Sequence, residues 1–198
     1  MEKICRNPNK SLSNDKEYVT VDINRFLSTG QTPKSQFQDW LDTIKFGLFI
    51  TVEPTPSSPM KDDDVKQRVR EIDYKINKYF IGNRYIRFSN KMDRFWLVGF
   101  FENGHRGRLT RHLHLLQYIP YDQLKIKGSK SFKRDMVKNQ VQFLWSNNPY
   151  VTPLNDTRSV CPIHIETIST QKDSVSVSRY SSKEIHRKRN YDDYFFSY

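Results

Sequence analysis

His112 and His114 stand one residue apart in the run Arg111-His112-Leu113-His114-Leu115-Leu116. Alternate side chains of a strand leave the same face, so the two imidazoles can offer nitrogens to one ion while Leu113 and Leu115 turn to the core. A second pattern, Tyr180-Ser181-Ser182-Lys183, lies near the C-terminus. On a helix, a lysine three residues after a tyrosine sets an ammonium beside a phenol. Such parts suit attack on a phosphodiester. A phenol ionises only near pH about 10, so its attack is assisted by a divalent ion that polarises the phosphate and by cations that hold the phosphoryl oxygens. A hard ion also wants an oxygen donor. Glu102 is the first choice, because in an antiparallel hairpin of even register it shares a face with both histidines. Glu53 and Glu166, on other expected strands, are the alternatives, and His105 in the intervening turn can assist or lie exposed.

Taken singly these signals are weak. His-x-His pairs arise by chance on strand faces, and most of the eleven tyrosines must pack or lie on the surface; Tyr74, Tyr79 and Tyr118 sit in patterns that suit packing. Tyr180 is distinguished by Lys183, by the basic continuation His186-Arg187-Lys188-Arg189, and by its place after the last expected strand.

The elements that must position these groups follow from periodicity. Phe37, Trp40, Leu41 and Ile44 recur at helical spacing between Pro33 and Lys45. Phe46 to Glu53 reads as a buried strand closed by Pro54. Asp62, Asp63 and Asp64 open a helix whose apolar stripe is Val65, Val69, Ile72, Ile76 and Tyr79, and Gly82 ends it. Arg94 to Glu102 and Leu109 to Ile119 form an antiparallel hairpin about a turn that begins at Asn103-Gly104. Ser131 to Trp145 is helical, with Phe132, Met136, Val141 and Leu144 on one side and a basic, solvated face opposite; Ile163 to Ile168 alternates as a strand, and a last helix is expected from Arg179 to about Arg189. The expected fold is α+β: a central antiparallel sheet of about five strands flanked by helices, the histidine strand in the middle and the tyrosine helix across the metal face. One domain spans 1–198, with 1–30 as an arm or edge strand (Tyr18 to Ile23 is β-like) and 190–198 as an aromatic tail.

Composition narrows the partners. Lys and Arg number 33 against 22 Asp and Glu, a formal charge of +11 and a pI near 9.6, which suits a polyanion such as nucleic acid. Cys5 and Cys161 have no CxxC partner, so neither a zinc ribbon nor a disulfide framework is expected. No apolar run is long enough to cross a bilayer, so no membrane is expected. The absence of alanine points to an AT-rich genome. Basic groups alternate with aromatics in Arg84-Tyr85-Ile86-Arg87-Phe88 and from Lys130 to Trp145, a pattern that suits unpaired strands.

Three motifs in this order, Leu48-Phe49-Ile50-Thr51-Val52, His112-Leu113-His114 and Tyr180 to Lys183, resemble those of the HUH endonuclease superfamily. The likeness is closer to rolling-circle replication initiators of small plasmids and of single-stranded-DNA phages and viruses, and runs from about Phe46 to Arg189. The resemblance implies a ferredoxin-like palm in which His112, His114 and an acidic residue, Glu102, hold Mg²⁺ or Mn²⁺. It implies that Tyr180 attacks single-stranded DNA at an origin hairpin, leaving a 5′-phosphotyrosyl link and a free 3′-hydroxyl that primes a host polymerase. Lys183 would position the phosphate or help the tyrosine attack, and a later 3′-hydroxyl would rejoin the strand. One tyrosine occupies the motif, so the single-tyrosine type is implied, and Tyr191 and Tyr194 are candidates to be mistaken for second nucleophiles. The chain holds no GxxxxGK[ST] loop, so unwinding is expected from a host helicase in trans, unless this is an excised nuclease domain. A monomer in the cytoplasm of a prokaryotic cell is expected, or in the host nucleus for a eukaryotic virus.

A single-strand transposase belongs to the same superfamily, whereas a conjugative relaxase normally carries its tyrosine ahead of the histidines. Outside it, a basic nucleic-acid-binding module without chemistry would make His112 and His114 plain surface residues, and a metal-dependent hydrolase would need them but not Tyr180.

Overall fold

A computed structural model describes residues 33–52, 62–88, 90–102, 112–146, 163–183 and 194–197. Five strands, β1 (Leu48–Val52), β2 (Trp96–Glu102), β3 (His112–Tyr118), β4 (Ile163–Thr167) and β5 (Tyr194–Phe196), form one sheet in the order β4-β1-β3-β2-β5. Every neighbouring pair is antiparallel, and the histidine strand is central. Four α-helices cover the sheet: α1 (Pro33–Thr43), α2 (Asp62–Phe80), α3 (Lys130–Ser146) and α4 (Gln171–Ser181). The α+β architecture is therefore the expected one. No helix among the described residues is long and apolar enough to cross a membrane.

Alternation along the strands divides the core in two. Leu113 and Leu115 of β3, with Leu48, Ile50, Leu97, Phe101 and Ile165 on neighbouring strands, face Val69, Ile72, Ile76 and Phe80 of α2 and Val137, Val141 and Trp145 of α3. On the other face Phe49, Trp96, Val98, Phe100 and Leu116 pack against Leu41 and Ile44 at α1 and against Val177 of α4. Helices on both faces explain why β2 and β3 are apolar almost throughout.

Several boundaries depart from expectation. The α2 stripe closes on Phe80, while Tyr79 is 63% exposed; Tyr74 is also exposed, against the packing roles expected of both. The α3 stripe is Val137, Val141 and Trp145, leaving Phe132 exposed; its expected solvated face is partly engaged, since Arg134 donates to the Ile168 carbonyl at 3.1 Å. The last helix begins eight residues early, at Gln171, so that Tyr180 lies in its final turn and Lys183 just beyond it. A capping box starts it: the Thr170 hydroxyl accepts from the Asp173 amide, and the Asp173 carboxylate accepts from the Thr170 amide at 3.1 Å. Its buried stripe is Ser174, Ser178 and Ser181, small polar residues that hide helical periodicity. Tyr194–Phe196 of the aromatic tail form the edge strand β5, and Gly99 makes room for it, because a Cβ there would stand 2.5 Å from the Phe195 ring. The expected strand at 18–23, the N-terminal arm, His105, the Asn103-Gly104 turn, Glu53, Tyr191, both cysteines and residues 184–190 lie outside the described residues.

Asp73 is the one charged residue buried beneath the sheet among those described. Burial is the main influence and pushes its carboxyl up to about 7, against the opposing influence of Ser197, Arg94 and Gln117. Its Oδ1 is buried without a hydrogen-bond donor, so the ionised form leaves charge there that a proton would neutralise. An acid protonated in the fold but ionised in the unfolded chain, near pH 3.9, makes stability fall as pH rises from about 4 to 7. Asp73→Asn carries a permanent donor and escapes that loss. Its stability gain over the parent should be about 2–3 kcal/mol larger at pH 8 than at pH 5, or several degrees in Tm. Thermal melts at the two pH values check this, and a gain that does not grow with pH defeats it.

Candidate active site

The β3 register builds the site. Glu102 lies directly across from His112 on β2, and His114 is flanked by Phe100 on β2 and Thr51 on β1. All of these side chains leave the face that α1 and α4 cover, as the even register of the hairpin requires. The Glu102 carboxylate is held at both oxygens: Oε2 accepts from Nε2 of His114 at 2.6 Å, and Oε1 pairs with Nζ of Lys183 at 2.7 Å. The other ring nitrogen of His114, Nδ1, meets the Thr51 hydroxyl at 3.2 Å. The motif on β1, on the far side of β3 from Glu102, thus supplies the group that orients His114.

Electrostatics fix the protonation states. His114 is only 5% exposed, and burial lowers its pKa more than the Glu102 hydrogen bond and charge raise it, so the ring is neutral at pH 7. A neutral ring that donates from Nε2 accepts at Nδ1, and the Thr51 hydroxyl is the donor there. Burial pushes Glu102 up, but hydrogen bonds and charge from Lys183 and His114 outweigh it and hold the carboxyl below its ordinary value. Lys183 is opposed by burial, yet its bonds to Glu102 and Tyr180 keep its pKa raised. The ammonium is therefore charged and shared between an acid and a phenol.

Tyr180 completes the cluster. Its ring meets His114 edge-on at 5.4 Å and Phe49 edge-on at 6.3 Å, and Nζ of Lys183 stands 3.7 Å from its centroid. Half of the side chain remains open, at 49% exposure, so the phenol is anchored on one flank and accessible on the other. Around it α1 clamps α4. The Asp42 carboxylate accepts from Arg179 at 3.0 and 2.7 Å, from Ser178 at 2.9 Å and from Gln38 at 2.7 Å. Gln38 in turn accepts from the Ser182 hydroxyl. Residues on both sides of Tyr180 are thus tied to one carboxylate and one amide on α1. Sequence reasoning missed this clamp, since Asp42 and Gln38 lie on the polar side of an ordinary amphipathic helix and carry no motif.

Of the expected site residues, the structure brings His114, Glu102, Lys183 and Tyr180 into contact and sets His112 across from Glu102. Glu166 is elsewhere. It belongs to the row of Phe49 and Leu116, on the edge strand, where it accepts from His164 at 2.8 Å. That row is four residues from His112 along β3, on the order of 13 Å. Tyr194 points to the site face, but its ring packs on Phe37 at 4.7 Å and on Phe196.

Among the described residues no three His, Cys, Asp or Glu side chains are already gathered as an ion would need. The donor types nevertheless fit Mg²⁺ or Mn²⁺: two imidazoles and a carboxylate on one face, beside an accessible phenol. The contact of His114 Nε2 with Glu102 spans the space between two of those donors. An ion shared by them would take over the role of the His114 proton, which could pass to Nδ1 because a hydroxyl accepts as readily as it donates. Thr51 therefore serves either tautomer. Thr51→Val removes that adaptability at constant shape, and affinity for Mn²⁺ is expected to fall about 10-fold or more. Mn²⁺ titration followed by electron paramagnetic resonance checks this; unaltered affinity would relieve Thr51 of the role. Comparison of the chain with family models, with curated proteins and with solved structures found no match.

Proposed function

We propose that the protein is a replication initiator that nicks single-stranded DNA at an origin by attack of Tyr180 and later rejoins the strand. One observation carries the reading: a half-open tyrosine, a charged lysine, a carboxylate and an oriented histidine form a continuous cluster on one sheet face, on a chain of charge +11. Mg²⁺ or Mn²⁺ held by His112, His114 and Glu102 would polarise the scissile phosphate. The chain's own residues do the rest. The open flank of Tyr180 lets Oη reach phosphorus opposite the 3′-oxygen. The Oη–P bond forms as the P–O3′ bond breaks; the phenol gives up its proton and the departing 3′-oxygen gains one, leaving a 5′-phosphotyrosyl link. Lys183, already beside the ring, can move from Glu102 to a phosphoryl oxygen and hold the charge that develops there. The link keeps the energy of the broken bond, so a 3′-hydroxyl at the same phosphorus reverses the step and reseals the strand.

The test is incubation of the protein with Mn²⁺ and a fluorescent single-stranded pool that includes hairpins of the source replicon, followed by denaturing electrophoresis and mass mapping. The expected product is an SDS-resistant adduct at Tyr180 that EDTA prevents. Cleavage without an adduct would make the protein a metal-dependent hydrolase. Binding that survives EDTA with neither cleavage nor adduct would leave a non-catalytic nucleic-acid-binding module.

A further inference from the structure

The other side of the sheet carries a surface that the nicking site does not use. Seven large hydrophobic side chains are exposed among the described residues, and four of them, Tyr74, Tyr79, Ile86 and Met92, fall between positions 74 and 92. Two of these are interleaved with cations. Arg70, Tyr74 and Lys78 recur every fourth residue and form one exposed line along α2. Tyr85, in the 3-10 turn Asn83–Arg87, is buried and meets the Tyr74 ring at 6.1 Å, which fixes the turn against that line. With Tyr85 inward, Arg84 and Arg87 share the turn's outer face at three-residue spacing, and Ile86 is 67% exposed beside them. Nζ of Lys78 stands 5.7 Å from the centroid of the Tyr74 ring.

Glu71, three residues before Tyr74, is the acid beside the middle of this line, and Arg68 engages it at 2.7 Å. Asp62, Asp63 and Asp64 occupy the first turn of α2, and Asp73 is buried. The helix dipole accounts for a cation in the last turn, such as Lys78. It does not account for Arg70, nor for a tyrosine that keeps 46% exposure within a cationic line. Cations spaced along an open surface, with a ring face and an aliphatic side chain between them, suit a strand that offers phosphates and unpaired bases together. A duplex would engage the cations but leave Tyr74 without a stacking partner.

We propose that Arg70, Tyr74 and Lys78 of α2, with Arg84, Ile86 and Arg87 of the following turn, form a second binding surface, for single-stranded nucleic acid. It lies across the sheet from Tyr180, because α2 packs on the Leu113 and Leu115 face and α4 on the opposite one. The proposal concerns binding alone and stands apart from the nicking reading: absence of a Tyr180 adduct would leave it intact.

The test uses the full chain and a 30-nucleotide oligo-dT containing 5-iodouracil, with affinity read by fluorescence anisotropy and contacts by photocrosslinking and mass mapping. Crosslinks are expected at Tyr74. Tyr74→Ala is expected to weaken oligo-dT binding several-fold and a duplex of the same length by less than twofold. Arg84→Glu with Arg87→Glu is expected to weaken oligo-dT binding 10-fold or more and to reduce the slope of log K against log salt by about 1.4. Lys125→Glu with Lys127→Glu makes the same change in net charge at exposed positions elsewhere and is the control; melting curves confirm that each variant folds. An equal loss in the control pair would mean general charge attraction and overturn the surface. So would crosslinks confined to the Tyr180 face, or a Tyr74→Ala effect equal on single strand and duplex.

Discussion

Tyr180→Phe is expected to abolish the covalent adduct and to lower strand cleavage by about 10³-fold or more, while single-strand affinity stays within about twofold of the parent. The substitution removes one oxygen. The ring keeps its edge-on contacts with His114 and Phe49, the Lys183 ammonium loses its bond to the phenol oxygen but stays paired with Glu102, and the Asp42 clamp on Arg179 and Ser178 is untouched. Loss of activity therefore cannot be assigned to a displaced helix, and an unaltered melting temperature would show as much. Tyr194 offers no substitute, because its ring is packed on Phe37 and Phe196 at the β5 edge. The decisive comparison is product chemistry. If Tyr180→Phe still cleaves at the parental rate and releases both ends free, the nucleophile is water and the tyrosine merely lines the site. If an adduct persists on another residue, the nucleophile has been misassigned.

Much of this geometry follows from residue types and spacing, and the rest had physical reasons for staying hidden. The hairpin of β2 and β3 was legible because both strands are apolar runs joined by a turn signal, and an even register then forces Glu102 onto the histidine face. The face of Leu113 and Leu115 could be read from alternation alone. The extent of α4 could not, since its buried stripe is serine and its start is a capping box that looks like a polar loop. The strand character of Tyr194–Phe196 was equally obscured. Three residues at a chain end carry no period, and only the space left by Gly99 and the pairing with Val98 to Phe100 make them a strand. In the run from Arg84 to Phe88 the alternation suggests a stacking surface, but Tyr85 is buried and Phe88 packs against the core, so the exposed ring comes from Tyr74 on the neighbouring helix. The Asp42 and Gln38 clamp rests on contacts more than a hundred residues apart in the chain, beyond what any local pattern encodes.

Glu102→Gln is expected to have the next largest effect, because the Glu102 carboxylate accepts from both the histidine and the lysine of the cluster. The amide has the same shape but offers one acceptor oxygen and one NH₂ group where the carboxylate offered two acceptors. His114 Nε2 and Lys183 Nζ are both donors at 2.6 and 2.7 Å, so one of them must face an NH₂ group. Lys183 also loses the negative partner that keeps its ammonium beside Tyr180. Two consequences follow in parallel. Affinity for Mn²⁺ should drop beyond the roughly 10- to 100-fold typical of supporting residues, since an anionic donor is lost. The rate of adduct formation at saturating Mn²⁺ should also fall, about 100-fold, because the lysine is no longer held over the ring. Affinity for single-stranded DNA should not fall, as the substitution makes the surface more cationic. Glu166→Gln is the matched comparison: it alters a carboxylate on the same sheet face, bonded to a histidine, but in a row distant from His112. Mn²⁺ titration and adduct kinetics on the two variants separate the readings. A large loss in Glu102→Gln with little change in Glu166→Gln fits the site described, whereas the reverse order would move the acidic ligand to β4 and leave Glu102 as the lysine's anchor alone.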